Sequence, residues 1–302
     1  MRITRAARAF KRRDIRFRMA SGQFDRYWLD GDCHRTRFYD ALSIMFPEGE
    51  RFFIESVRYW RDKAEGNPKL EAEIAAFIGQ EAMHRREHIE YNMRLAAQGM
   101  PVEALEKYIT YRHDRARAKL SKAGLLGMTV VLEHFTAMLA DQLLRHPDNL
   151  AGADPRMAKI WRWHTLEEGE HRSVAFDLYS LVRDKPVQRY FYRCRAMWLI
   201  TPIFITQVWA FTWALVKADG RQGDWRGWLH LLYCQFISPG PLRRLIPHWC
   251  AWFKPGFHPS QHENEALIER YRVEYDRLAA EQATTDALEP DSGALPGHPA
   301  EA

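Results

Sequence analysis

Glu81-Ala-Met-His84 and Glu168-Gly-Glu-His171 repeat the same spacing, Glu-x-x-His, and each follows a lone glutamate at a matching distance: Glu50 lies 31 residues before Glu81, and Glu133 lies 35 before Glu168. A single Glu-x-x-His carries little weight, but the context here is specific. The midpoint of the first interval falls on Gly66-Asn67-Pro68, a strong turn signal, and that of the second falls in His146-Pro-Asp-Asn-Leu-Ala-Gly-Ala-Asp-Pro155. If each interval folds as an antiparallel helical hairpin, each lone Glu sits level with its Glu-x-x-His. Two hairpins then give a four-helix bundle with one Glu from each of two helices and Glu-x-x-His from each of the other two.

That donor set predicts an all-α, ferritin-like bundle with a dinuclear metal site, built from Glu50, Glu81, His84, Glu133, Glu168 and His171. Carboxylates with imidazoles suit two iron ions, with manganese as the other candidate. Glu81, His84 and His88 fall at i, i+3 and i+7, and His164, Glu168 and His171 at i, i+4 and i+7, so each trio shares a helix face. His164 is therefore a candidate seventh ligand. His88 stays open between a ligand and a hydrogen-bonded core residue. His134, turned about a hundred degrees from Glu133, is set aside. Glu48 and Glu55 lie off the Glu50 face, and Glu167 is placed to orient His84 from behind.

Outward from the bundle, the spacing predicts helices from Ser43–Pro47 to about Lys63, Leu70 to Ala97, Ala123 to Arg145 and Pro155 to Val182, with Val102 to Lys119 as a crossover. Trp28-Leu29-Asp30-Gly31-Asp32 reads as a turn, and no segment shows sustained strand alternation. Residues 1–40 read as a basic and aromatic arm, 41–182 as the metal-binding bundle, 183–255 as an apolar helical extension, 256–282 as a further helix and 283–302 as a disordered tail. Met1 to Arg18 holds eight Lys/Arg against one Asp, which fits either a solvated arm or attraction to anionic lipid. Met197 to Val216 is twenty residues without a charge, the length of a membrane span, although Pro202 and Gln207 interrupt it. Membrane contact is the expectation, and a helix buried against the bundle the alternative. Four scattered cysteines in 302 residues suggest reduced thiols in a cytoplasmic protein at the inner membrane face. The net charge of +5 comes with no nucleic-acid motif.

Phe46-Pro-Glu-Gly-Glu50-Arg-Phe-Phe53, Gln80-Glu81-Ala-Met-His84 through His88, Trp163-His164-Thr-Leu-Glu167-Glu168-Gly-Glu-His171 through Asp177, and Phe257-His258-Pro259 together resemble the family of predicted metal-dependent hydrolases, over roughly residues 15–275. The ligand order also resembles ribonucleotide reductase small subunits, soluble fatty-acyl desaturases and bacterial multicomponent monooxygenases. That resemblance implies that Glu81 and Glu168 bridge the metals while Glu50 and Glu133 are terminal. His164 resembles the third histidine of the di-iron arylamine N-oxygenases.

The leading expectation is a di-iron oxidase or oxygenase using O2 and an electron-donor protein on a hydrophobic, lipid-like substrate at a membrane surface, since the chain carries no flavin or ferredoxin signature of its own. Glu50, Glu81, Glu133 and Glu168 carry the chemistry in that reading. The alternative is hydrolysis of an ester or phosphoester by the same two-metal site. A non-enzymatic role in iron or redox sensing and storage is the third.

Overall fold

The structure, a computed structural model, describes residues 10–21, 24–261 and 264–288. Among them the chain forms ten α-helices: α1 Cys33–Trp60, α2 Pro68–Ala97, α3 Val102–Lys119, α4 Lys122–Arg145, α5 Pro155–His171, α6 Val174–Val182, α7 Pro186–Ala218, α8 Trp225–Phe236, α9 Pro241–Ala251 and α10 Glu265–Leu288. No strand forms in the described residues, and a lone antiparallel bridge joins Leu29 to Ala153.

Local chemistry sets the helix starts. Asn67, Ser121 and Asp154 cap α2, α4 and α5 with side-chain oxygens that accept from backbone N–H groups, and Pro68 and Pro155 open their helices. Helix α1 pairs with α2 and α4 with α5, while α3 crosses between the two hairpins. Gly152, at φ +73° and with Asp30 packed where a Cβ would sit, lets the α4–α5 loop press on the Leu29 turn.

Two apolar clusters fill the bundle. One gathers Phe38, Leu42, Tyr91, Trp161 and Leu166, and the other Phe52, Val57, Ile74, Phe77 and Val130. Along α1, α2 and α5 the residues between these groups are Glu50, Glu81, His84, Glu168 and His171, so a polar layer lies between two oily ends.

Several boundaries differ from the sequence reading. Helix α1 starts ten residues before Ser43, capped by Asp32, whose side chain accepts from Arg35 N–H. Its first turns carry no readable apolar period because buried Arg37 pairs with Asp40 and Asp219, both at 2.6 Å. Pro47 therefore sits inside the helix rather than at its start. The expected fourth helix is two, α5 and α6, broken where buried Arg172 turns to Asn264. The last helix runs to Leu288, beyond the expected start of the tail at 283; residues 289–302 of that tail, and residues 1–9 of the basic arm, lie outside the described residues.

The described part of the arm is not solvated. Arg13, Ile15, Phe17 and Met19 are buried and the residues between them exposed, a period of two in an extended segment. Side chains take its backbone groups: Glu87 accepts from Phe17 N–H at 2.9 Å, Gln282 accepts from Arg16 N–H at 2.9 Å, and Arg86 donates to the Ile15 carbonyl at 2.7 Å. The alternation is that of a strand, without a partner strand.

Helix α7 is neither a buried core helix nor detached from the bundle. Met197, Val208, Phe211 and Leu215 pack inward, against α1 and α4, while Trp198, Leu199, Ile205 and Trp213 are exposed. Both α4 and α7 are long and apolar enough to cross a membrane, but the apolar window of α4 is 61% buried and that of α7 only 28%.

Candidate metal centre

The structure brings all seven sequence-chosen residues into the polar layer, each at most 2% exposed. Glu168 is the hub: its Oε1 lies 3.2 Å from His164 Nε2, 3.7 Å from His84 Nδ1 and 4.0 Å from His171 Nε2. His171 places Nε2 3.2 Å from Glu81 Oε1 and Nδ1 3.2 Å from Glu133 Oε2. The rings of His84 and His164 stack at 4.2 Å. Donor atoms of Glu81, His84, Glu168 and His171 all lie within 4.8 Å of one another, and so do those of Glu50, His88 and His164.

Burial and crowding distort the titration of this layer. Glu50 and Glu81 are pushed well above the usual carboxylate range, by desolvation and then by neighbouring carboxylates, and Glu133 rises to about 7. Burial opposes the charge on Glu168 too, but His171 and His164 outweigh it and keep its carboxyl low. His171 rises to about 9 because Glu168 and Glu133 overcome its desolvation, whereas burial and His164 hold His84 neutral. Both oxygens of Glu50 and of Glu81, and the inward nitrogens His84 Nδ1, His164 Nε2 and His171 Nε2, have no hydrogen-bond partner. Among the described residues no Arg or Lys lies within ion-pair distance of Glu50, Glu81, Glu133 or Glu168. So many buried acceptors without donors are costly alone. Convergent hard oxygens and imidazoles are the set that two metal ions would satisfy.

A hydrogen-bond chain assigns His88. Pro47 has no N–H, so the Ser43 carbonyl one turn earlier lacks its helical partner. Asn92 Nδ2 donates to that carbonyl at 3.3 Å and to Glu106 at 3.0 Å, which fixes its amide orientation. Ser43 Oγ then donates its one proton to Asn92 Oδ1 at 2.9 Å and accepts from His88 Nδ1–H, also at 2.9 Å. Burial keeps His88 neutral, so its Nε2 is bare and accepts from His164 Nδ1–H at 3.0 Å. His164 Nε2 is left as a lone pair facing Glu168. His88 is thus the hydrogen-bonded core residue of the two alternatives, and it sets the His164 tautomer.

Glu167 lies behind His84, with Oε2 3.2 Å from Nε2 but off the line of a hydrogen bond. Burial raises its carboxyl to about 8 against the pull of Arg13. Arg13, 1% exposed, donates to Glu167 at 3.0 Å, to both oxygens of Glu170 at 2.7 and 2.9 Å, and to Asp276 at 2.7 Å. Gln80 and Arg272 complete the cage around Glu170. The sequence reading missed Arg13 by taking the arm as either solvated or drawn to anionic lipid; its period-two pattern was the available signal. His134, set aside in the sequence reading, packs on Trp252 and Phe257. His258 reaches Asp177 at 2.7 Å, joining the closing segment to α6.

A cavity of about 700 Å³ opens between α3 and α7, and its wall includes the buried Glu50 beside Phe46, Phe53, Leu132 and Phe204. A smaller space of about 50 Å³ reaches His164 and Glu168 from the α8–α9 side. With this geometry in hand, a family model described as predicted metal-dependent hydrolase matches residues 11–263. No curated protein and no solved structure matches the chain.

Proposed function

The chain belongs to the family of predicted metal-dependent hydrolases, and from that premise we propose that it is a dinuclear-metal hydrolase acting on an ester or phosphoester of a hydrophobic substrate. The observation that carries the reading is Glu50: a buried carboxylate with two unpartnered oxygens belongs at once to the metal layer and to the wall of the large cavity. Two ions held by Glu50, Glu81, His84, Glu133, His164, Glu168 and His171 would supply Lewis acidity to the substrate, or, if iron, electrons to O2. Glu168 and Glu81, each close to a histidine of the opposite hairpin, would hold ions between the two hairpins. His84 presents Nδ1 to the layer with Glu167 packed behind its Nε2, and His164 presents Nε2. Phe46, Phe53 and Phe204 exclude water around Glu50, which takes up or releases a proton at the cavity floor.

Oxidation remains the second reading because the donor set has four carboxylates and no thiolate: two divalent ions are nearly neutralised, which weakens Lewis acidity and suits redox iron. It would need an electron-donor protein. In either reading the exposed apolar face of α7 and α8, with Trp198, Trp213, Trp225 and Leu229, seats the molecule against the cytoplasmic membrane surface. The test is metal analysis of anaerobically purified protein, then turnover of long-chain esters and phosphoesters with manganese, zinc or iron, with and without O2. Cleavage without O2 supports hydrolysis. Turnover that demands O2 and a reductant replaces it with oxidation.

A further inference from the structure

The rim of the α3–α7 cavity differs from its floor. Three arginines that line it each lie over a tyrosine that also lines it: Arg112 over Tyr108 at 5.8 Å, Arg115 over Tyr111 at 5.7 Å and Arg183 over Tyr192 at 3.9 Å. Arg195 and Lys119 add two more cations. None of these five has a carboxylate within ion-pair distance among the described residues. The acidic groups nearby are engaged elsewhere: Glu48, Glu55 and Asp114 all pair with Arg117, which does not line the cavity. Arg112 and Arg115 each give one N–H to a tyrosine hydroxyl, at 3.0 and 2.9 Å, which fixes the side chain and leaves the rest of the guanidinium edge free. The one carboxylate in the lining is Glu50, which at 2% exposure is buried where the arginines are not.

We propose that the cavity takes an amphiphile with a single apolar chain and an anionic head, the head held by Arg112, Arg115 and the neighbouring cations and the chain reaching Glu50. Stacked, unpaired guanidinium edges match the two oxygens of a carboxylate or phosphate. Five cations against one buried carboxylate attract an anion and repel a cation of the same length. A neutral lipid would leave the arginines without a use, and a polyanion such as a nucleotide would meet an apolar wall. A volume of about 700 Å³ suits one small-molecule ligand rather than a polymer. The bond that reacts therefore lies in the apolar portion, against Glu50, and not at the head; for hydrolysis it is an internal ester. The assignment rests on the reading that a hydrophobic substrate meets the metal layer through this cavity.

The test is calorimetric titration of the full-length protein with dodecanoate, dodecyltrimethylammonium and 1-dodecanol, each below its micelle concentration. Dodecanoate should bind at one equivalent and at least tenfold more tightly than the ammonium, with an affinity that falls as salt rises. Arg112→Gln with Arg115→Gln should weaken dodecanoate about tenfold and leave dodecanol unchanged. Ala196→Trp, which fills the cavity from α7, should weaken both. Equal binding of the anion and the cation, indifference to the arginine substitutions, or uptake of many equivalents without saturation would each overturn the proposal. Because binding is read without turnover, the two readings fail separately. Selective dodecanoate binding with no ester cleavage sinks the hydrolase, while cleavage without charge preference sinks the anionic head.

Discussion

Replacing Arg13 by Met removes a buried charge while keeping most of the aliphatic stem that fills its site. Three carboxylates lose a partner, but not equally. Glu170 keeps Arg272 at 2.7 Å and Gln80 at 2.8 Å, and Asp276 is partly solvated. Glu167 loses its one guanidinium partner among the described residues. Breaking a buried ion pair from one side costs about 3–5 kcal/mol. Glu167 already titrates near 8, so it can escape by holding a proton, which puts the loss at the low end, about 3 kcal/mol. For a chain of this size that is roughly 6 °C in melting temperature. Glu167 packs 3.2 Å behind His84 Nε2, so once it has lost Arg13 and can shift, the ring it backs should loosen and metal affinity should fall about tenfold or more. Differential scanning fluorimetry and competition with a metal chelator read the two effects. Combining Arg13→Met with Glu167→Gln should cost less than the sum of the single changes. A variant that melts within about 2 °C of the parent and binds metal as tightly would refute the view that the N-terminal segment supports the metal layer.

Four other outcomes are expected. Ser43→Ala breaks the chain that fixes the His88 and His164 tautomers and should weaken metal binding roughly tenfold, while His84-side variants respond independently; unchanged affinity would remove His88 from its orienting role. Glu168→Ala should lose both ions in elemental analysis, and retention of one full equivalent would show that Glu168 does not bridge. In the metal-free protein Glu133, Glu167 and His171 are all raised above their unfolded values, to about 7, 8 and 9. Their stabilising contribution is complete at low pH and is lost as pH rises through those values. The unfolding free energy should therefore fall from pH 6.5 to 9 by on the order of 1 kcal/mol per pH unit for each proton, read as a falling melting temperature, and saturating manganese should flatten the slope. Finally, Trp198→Glu with Trp213→Glu should reduce co-flotation with anionic vesicles severalfold without lowering the melting temperature, since both side chains are exposed; equal flotation would detach α7 from any membrane role.

The convergence of the seven candidates in one polar layer was readable because their pattern is periodic: Glu-x-x-His and the matched intervals survive without any three-dimensional information. The two turns at Asn67-Pro68 and Asp154-Pro155 were readable for the same reason, since cap and proline act locally. What escaped depends on contacts distant in sequence. Arg37 and Asp40 hid the first turns of α1 because a polar pair buried with Asp219 mimics an exposed face. Pro47 looked like a helix start, and its acceptance inside α1 depends on Asn92, 45 residues away. Arg13 looked like one more surface charge until its three carboxylate partners were in place. The apolar run of α7 was read correctly as unusual, but composition cannot say which face packs and which stays bare. The ligand geometry likewise fits redox iron, while the family match favours hydrolysis, so reaction type is the point at which sequence pattern alone pulled toward the less supported reading.

The cage around Glu170 draws on both flanks of the chain, with Arg13 and Asp276 separated by 263 positions. Contacts of that separation form only after the intervening chain has been ordered. During synthesis the four helices that carry the candidate ligands are therefore complete well before α10 leaves the ribosome to supply Arg272 and Asp276. For that interval the polar layer exists without its outer wall. Any ion the layer takes would meet an open bundle at that stage, and α10, with the N-terminal segment laid between it and α2, completes the wall only afterwards. The order in which the chain emerges therefore sets when the polar layer is closed off.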